Sequence, residues 1–227
     1  MSDLSDVIRI LPTMKSGGEL LSALEVLPEY DAAICDADAP VRLMALSDLY
    51  RVYVPNQMSL EIYSKLYLAL MRSLQKKGTK LAVQQKNQNF KAIMQQEYSG
   101  IMGGSDSFTI IGASGIGKSS AISRAITLIT ENRIIDVEQP YTKIIPCICV
   151  QCPFDSSVKG LLLEILRKVD EVIGGNYYPN ALRARTTTDM LIGSVSQMAL
   201  NHIGLLVVDE IQNVCNSKNG KSLVGML

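Results

Sequence analysis

The sequence has no net charge to offer: 22 Lys and Arg balance 22 Asp and Glu. Overall charge therefore gives no reason to expect a nucleic-acid partner. Histidine is nearly missing, with His202 alone, so imidazole can supply at most one ligand to any metal site. The N-terminus carries Asp3 and Asp6 and no apolar run of 18 residues near it, so neither a secretion signal nor a membrane span is expected there. The five cysteines, Cys35, Cys147, Cys149, Cys152 and Cys215, are odd in number. Without a signal peptide they predict reduced thiols and a cytoplasmic protein. What remains is 47% apolar and 19% charged, ordinary for a globular chain with a sizeable core. Its length suits one domain with an extension, or two small ones.

Charge is nevertheless sorted along the chain. Residues 1–50 hold nine acids and three bases, a balance of −6, and residues 51–94 hold eight bases and Glu61, a balance of +7. Residues 1–57 are expected to form an acidic N-terminal arm that docks a partner, with short helices such as Glu19 to Leu27. A further short helix is expected over 41–54, ending near Pro55. From Ser59 the apolar residues Leu60, Tyr63, Leu66, Tyr67, Leu70 and Leu74 recur at helical spacing, with Gly78 as the stop. A Gln- and Asn-rich helix is expected over 81–99.

The strongest signal is Phe108 to Ser120, FTIIGASGIGKSS. Phe108, Thr109, Ile110 and Ile111 suit a buried strand. Gly112, Ala113, Ser114, Gly115, Ile116, Gly117, Lys118 and Ser119 match the phosphate-cradling pattern G-x-x-x-x-G-K-[ST] at every fixed position. An Ala- and Ile-rich segment follows to about Glu131 and predicts a helix. Glycines let the backbone turn several N–H groups inward, and the helix N-terminus adds partial positive charge. Lys118 would reach the β- and γ-phosphates and Ser119 would ligate Mg²⁺, with Ser120 completing the loop.

Lys143 to Gln151 reads as a strand, placed at a sheet edge because Pro146 cannot donate to a ladder. Cys147, Cys149 and Cys152 suggest a metal only superficially, because no fourth ligand is evident. Asp155 and Ser156 are N-cap candidates for a helix to Ile173, with Val158, Leu161, Leu162, Ile165, Val169 and Val172 facing inward. Gly174-Gly175 ends it, and residues 176–186 read as a loop. Thr187 or Thr188 caps a helix to His202, ended by Gly204. Leu205 to Val208 then form an apolar strand, expected to be buried on both faces of a parallel sheet. It ends in Asp209 and Glu210, roughly 90 residues after the P-loop. Asp209 would hold Mg²⁺ through water, and Glu210 would polarise a water that attacks the γ-phosphate. A phosphotransferase needs no such Glu, so the pair predicts ATP hydrolysis.

With both motifs in place, the chain resembles the TnsC/TniB family of transposition regulators, AAA+ ATPases of bacterial mobile elements. The resemblance spans roughly 41–215 and rests on IIGASGIGKSS, VQCPFDSSVKGLLLEIL, VDEVIGGNYY and LLVVDEIQNV. The segment from Cys152 to Leu161 is similar to the family's CP-x-DGS-x-KGL, with Ser156 where the family usually has Gly. The resemblance implies a three-layer αβα P-loop NTPase fold of strand order 5-1-4-3-2 in an AAA+ domain over 58–227, preceded by the helical N-terminal extension. It implies ATP and Mg²⁺ as cofactors, with Lys118 and Glu210 catalytic, and Ser119 and Asp209 at the metal. It implies double-stranded DNA, a transposase and target-selector proteins as partners, a ring or filament of identical subunits, and no membrane. Lys159 stands where such proteins present residues to DNA. On this pattern strands 4 and 5, the arginine finger and the helical lid would follow Leu227, so the chain is expected to be truncated before strand 4 and to hydrolyse ATP poorly alone. Two competing functions are another AAA+ ATPase, replication-initiator-like or signalling, and a nucleotide-dependent interaction module that does not hydrolyse.

Overall fold

The computed structural model describes residues 11–77, 107–138, 141–155, 157–184 and 186–216. Gly78 and the helix expected over 81–99 lie outside them. The chain divides into two compact units, Pro12–Tyr67 with Ile110–Glu131, and Met1–Leu11 with Leu68–Thr109 and Asn132–Leu227.

In the first unit the helices are α1 (Gly17–Leu24), α2 (Ala39–Ser47), the beginning of α3 (Gln57–Lys77) and α4 (Lys118–Thr130), with 3-10 turns at Ala32–Asp36 and Asp48–Arg51. Helix α3 starts at Gln57, before Ser59, because the Asn56 carboxamide accepts the Ser59 N–H at 3.1 Å and so satisfies a first-turn donor. The expected apolar stripe is buried at Tyr63, Leu66, Tyr67, Leu70 and Leu74; Leu60 is half-buried. The tyrosines also use their polar ends. Tyr67 donates its hydroxyl to the Pro12 carbonyl at 2.9 Å, and Tyr63 accepts the Lys15 N–H at 3.0 Å. Helix α4 buries Ala121, Ile122, Ala125 and Ile129. Its Arg124 donates twice to the Leu24 carbonyl, at 3.1 Å each, which satisfies an orphan acceptor at the end of α1.

The second unit holds the sheet. Strand β1 (Ile135–Glu138) pairs antiparallel with β2 (Tyr141–Gln151), and β2 pairs parallel with β3 (Ile203–Asp209), in the order β1-β2-β3. Between β2 and β3 run α5 (Val158–Ile173), α6 (Tyr177–Arg183) and α7 (Thr188–His202), the helical crossover that a parallel pair requires. The core joins Ile148 and Val150 of β2, Leu161, Ile165 and Val169 of α5, and Leu191 and Met198 of α7. This β2–β3 pairing is consistent with the relation that the order 5-1-4-3-2 demands of its strands 2 and 3.

Several expectations are corrected. Phe108–Ile111 is not a strand, and Ile111 is 90% exposed. A strand exists only through its ladder partners, and the expected neighbours, strands 4 and 5, have no counterpart among the described residues. Strand β2 is not an edge strand, since it has a partner on each side. Pro146 is tolerated because β1 pairs only with 141–144 and ends before it. The cap of α5 is Ser157, whose hydroxyl accepts the Gly160 N–H at 3.1 Å; Asp155 accepts the Ser157 N–H at 3.0 Å, and Ser156 is outside the described residues. Val172 is exposed and Leu166 takes a core place instead. The 176–186 loop contains α6, whose first amides, Tyr177 and Tyr178, are held by the Asp170 carboxylate at 3.0 and 2.7 Å. Gly204 does not stop α7 but lies within β3; a Cβ there would stand 2.6 Å from the Pro146 carbonyl oxygen. Leu205 to Val208 are half-buried rather than enclosed, because β3 has a strand partner on one side only among the described residues. Thr187 caps α7 as expected, accepting from Met190 N.

Candidate functional site

The P-loop is built by three local features. Gly115 and Gly117 take φ of 80° and 91°, conformations that a side chain strongly disfavours. Gly112 lies against Ile116, whose Cδ1 is 2.9 Å from where a Cβ would be. Gly117 is the N-cap of α4, so the amides of Lys118, Ser119 and Ser120 fall in a first turn with no intrahelical acceptors. The Lys118 ammonium curls back to donate to the carbonyls of Gly112 and Ala113, at 2.8 and 2.7 Å. Ser114, Ser119 and Ser120 are exposed. Left-handed glycines, first-turn amides and a returning lysine are the donor set that holds a polyphosphate, so these residues fit a nucleotide triphosphate tail. The Ser119 hydroxyl, beside Lys118, fits an oxygen-ligated Mg²⁺.

The acidic pair belongs to the other unit. Asp209 is the last residue of β3, in register with Gln151, and its carbonyl accepts the Cys152 N–H at 2.8 Å. Its carboxylate accepts the Glu210 N–H at 2.9 Å. Glu210 has a φ of 57°, a conformation that costs a non-glycine residue about 1–2 kcal/mol. Neighbouring bonds hold it there. The Glu210 carbonyl accepts the Asn213 N–H at 3.0 Å, and the Gln212 carboxamide donates to the Glu210 carboxylate. Asn213 also donates its side chain to the Cys152 carbonyl at 3.0 Å. An exposed carboxylate is thereby fixed past the carboxyl end of a parallel strand, where open α/β sheets place ligands. It lines an open cleft of about 440 Å³ with Gln151, Cys152, Pro153, Phe154, Gly160, Glu164 and Asn213. Arg167, hydrogen-bonded to Glu164, holds that carboxyl below its usual range.

Gln212 and Asn213 received no role from the sequence, although they follow Glu210 directly. Their positions two and three residues on, the reach of a tight turn, were the available signal. Lys159, on the first turn of α5, donates to the Thr186 carbonyl at 3.1 Å. Cys147 and Cys149 lie two apart on β2, and burial pushes the Cys147 thiol up to about 12. Among the described residues no cluster of three or more His, Cys, Asp or Glu could hold a metal ion. None of their helices is long and apolar enough to cross a membrane.

The model of a protein family described as an AAA domain matches residues 101–224, more than half of the chain and inclusive of both motifs. No curated protein matches the chain.

Proposed function

The chain belongs to the AAA domain family, and from that premise we propose that it is an ATP-hydrolysing regulator of DNA transposition. A nucleotide-binding, ATPase-type function comes with the family. The proposal adds the roles. Gly112 to Ser120 hold the phosphates, Lys118 neutralises charge at the β- and γ-phosphates, and Ser119 and Asp209 serve Mg²⁺, which draws negative charge from the phosphates when bound. Glu210 takes a proton from the attacking water.

The observation that carries hydrolysis is Glu210 itself, held at a φ of 57° with its carboxylate exposed past the end of β3. An acid fixed at such a cost, beside the Asp expected to serve Mg²⁺, suits a reaction that consumes water. Transposition rests on the resemblance to the TnsC/TniB family through Cys152 to Leu161 and Asp209 to Asn213. On that basis the partners are double-stranded DNA, a transposase, a target selector and further copies of the chain, in the cytoplasm. Lys159 would contact a DNA phosphate, giving affinity without sequence preference.

The test is Glu210→Gln, which keeps the shape and removes the base. ATP turnover should fall by about a hundredfold or more, while ATP-bound protein accumulates on double-stranded DNA in a filter or mobility assay. Unchanged turnover would sink the role of Glu210. Absence of ATP-dependent DNA binding in both proteins would remove the transposition assignment and leave the ATPase.

A further inference from the structure

Residues 27–52 form an excursion pinned at its base and bare along its length. Val26 and Tyr53 exchange two backbone hydrogen bonds of 2.9 Å, and the Tyr53 hydroxyl bonds the Oγ of buried Ser59 at 2.7 Å. Between those anchors no residue is buried. Yet Tyr50 is 93% exposed, Tyr30 83% and Met44 74%, and Leu43, Leu46 and Leu49 are exposed with them. Helix α2 has nine residues and buries none, too few to be stable in water without packing. An apolar surface of this kind marks an interface.

Charge indicates what covers it. Residues 27–52 hold five acids and two bases, a balance of −3. Helix α3 holds four bases and one acid, a balance of +3. Its exposed stripe carries Glu61, Lys65, Leu68, Arg72 and Lys76, three or four residues apart in turn and so on one face, with three bases against one acid. We propose that residues 27–52 of one copy dock on the Lys65–Leu68–Arg72 face of α3 in a second copy. The two surfaces differ, so the contact is head-to-tail and propagates into a ring or an open chain of subunits. An arm-to-arm pair would instead set −3 against −3. The contact uses no nucleotide and no residue of the P-loop or the acidic pair, so its failure leaves the ATPase assignment untouched.

Sedimentation of the full chain without nucleotide or DNA tests this. The wild type should gain mass with concentration and lose it as salt rises. Asp36→Lys with Asp38→Lys gives a basic arm, and Lys65→Glu with Arg72→Glu gives an acidic stripe. All four positions are exposed, and circular dichroism checks that folding is kept. Each double variant alone should associate at least about tenfold more weakly. An equimolar mixture should recover, because each then offers the face that the other needs. A monomeric wild type, a stripe variant that associates as well as wild type, or a mixture that fails to recover would each overturn the contact.

Discussion

The acidic pair and the P-loop are held in place by different physics. Asp209 and Glu210 emerge from a strand whose ladder, crossover helices and core fix them. Residues 111–116 expose every side chain and keep their shape through left-handed glycines, the α4 N-terminus and the returning Lys118. One motif is positioned by tertiary burial, the other by local backbone geometry. The same mutation type should therefore act differently in the two places.

The largest contrast should come from Leu161, which is wholly buried at the centre of the β2–α5–α7 core. Leu161→Ala should lower stability in denaturant by about 2–5 kcal/mol and, with it, any hydrolysis that rests on the role proposed for Glu210. Next is Gly204→Ala, whose methyl would meet the Pro146 carbonyl at 2.6 Å and Leu70 at 2.7 Å. Backbone on one side leaves little room to yield, so a loss of about 1–3 kcal/mol is expected. On the other side, Gly117→Ala meets no atom within 4 Å but is strained by its φ of 91°. It should cost about 1–2 kcal/mol while weakening ATP binding out of proportion, measured with a fluorescent nucleotide. If Gly117→Ala binds nucleotide normally, the P-loop is not held by its glycines and the contrast fails.

The smallest effect is a pH dependence. Burial raises the Cys147 thiol from 9.0 to about 12 in the folded chain. The unfolded chain gives up this proton first, so the contribution is complete below about 9 and is lost as pH rises towards 12. Replacing Cys147 by Val should flatten the alkaline fall in stability by about 1 kcal/mol at pH 10, read as a difference between denaturation curves. An identical alkaline fall would show that Cys147 is solvated.

What could be read from the residues was local. Gly174 ends α5, Thr187 caps α7, and Lys118 begins α4, because caps and left-handed turns depend on a few neighbouring atoms. The strand ending at Asp209 was legible from four aliphatic residues followed by acids. The failures were of another kind. Helix α6 needed Asp170, seven residues upstream of Tyr177, to hold its first amides. Gly204 looked like a helix stop because glycine often is one, but its small size serves a close approach to Pro146. Gln212 and Asn213 gained roles only when the turn after β3 brought them to Glu210 and Cys152.

The sequence by itself determined the P-loop pattern and the position of the Asp209-Glu210 pair, since these depend on residue type at fixed spacing. It also set the opposite charges of the arm and α3. Only the tertiary structure decided that Phe108–Ile111 has no ladder, that β2 lies between two strands, and that residues 27–52 bury nothing. The reason is that pairing and burial belong to surfaces distant in sequence, and no local propensity encodes which of them meet.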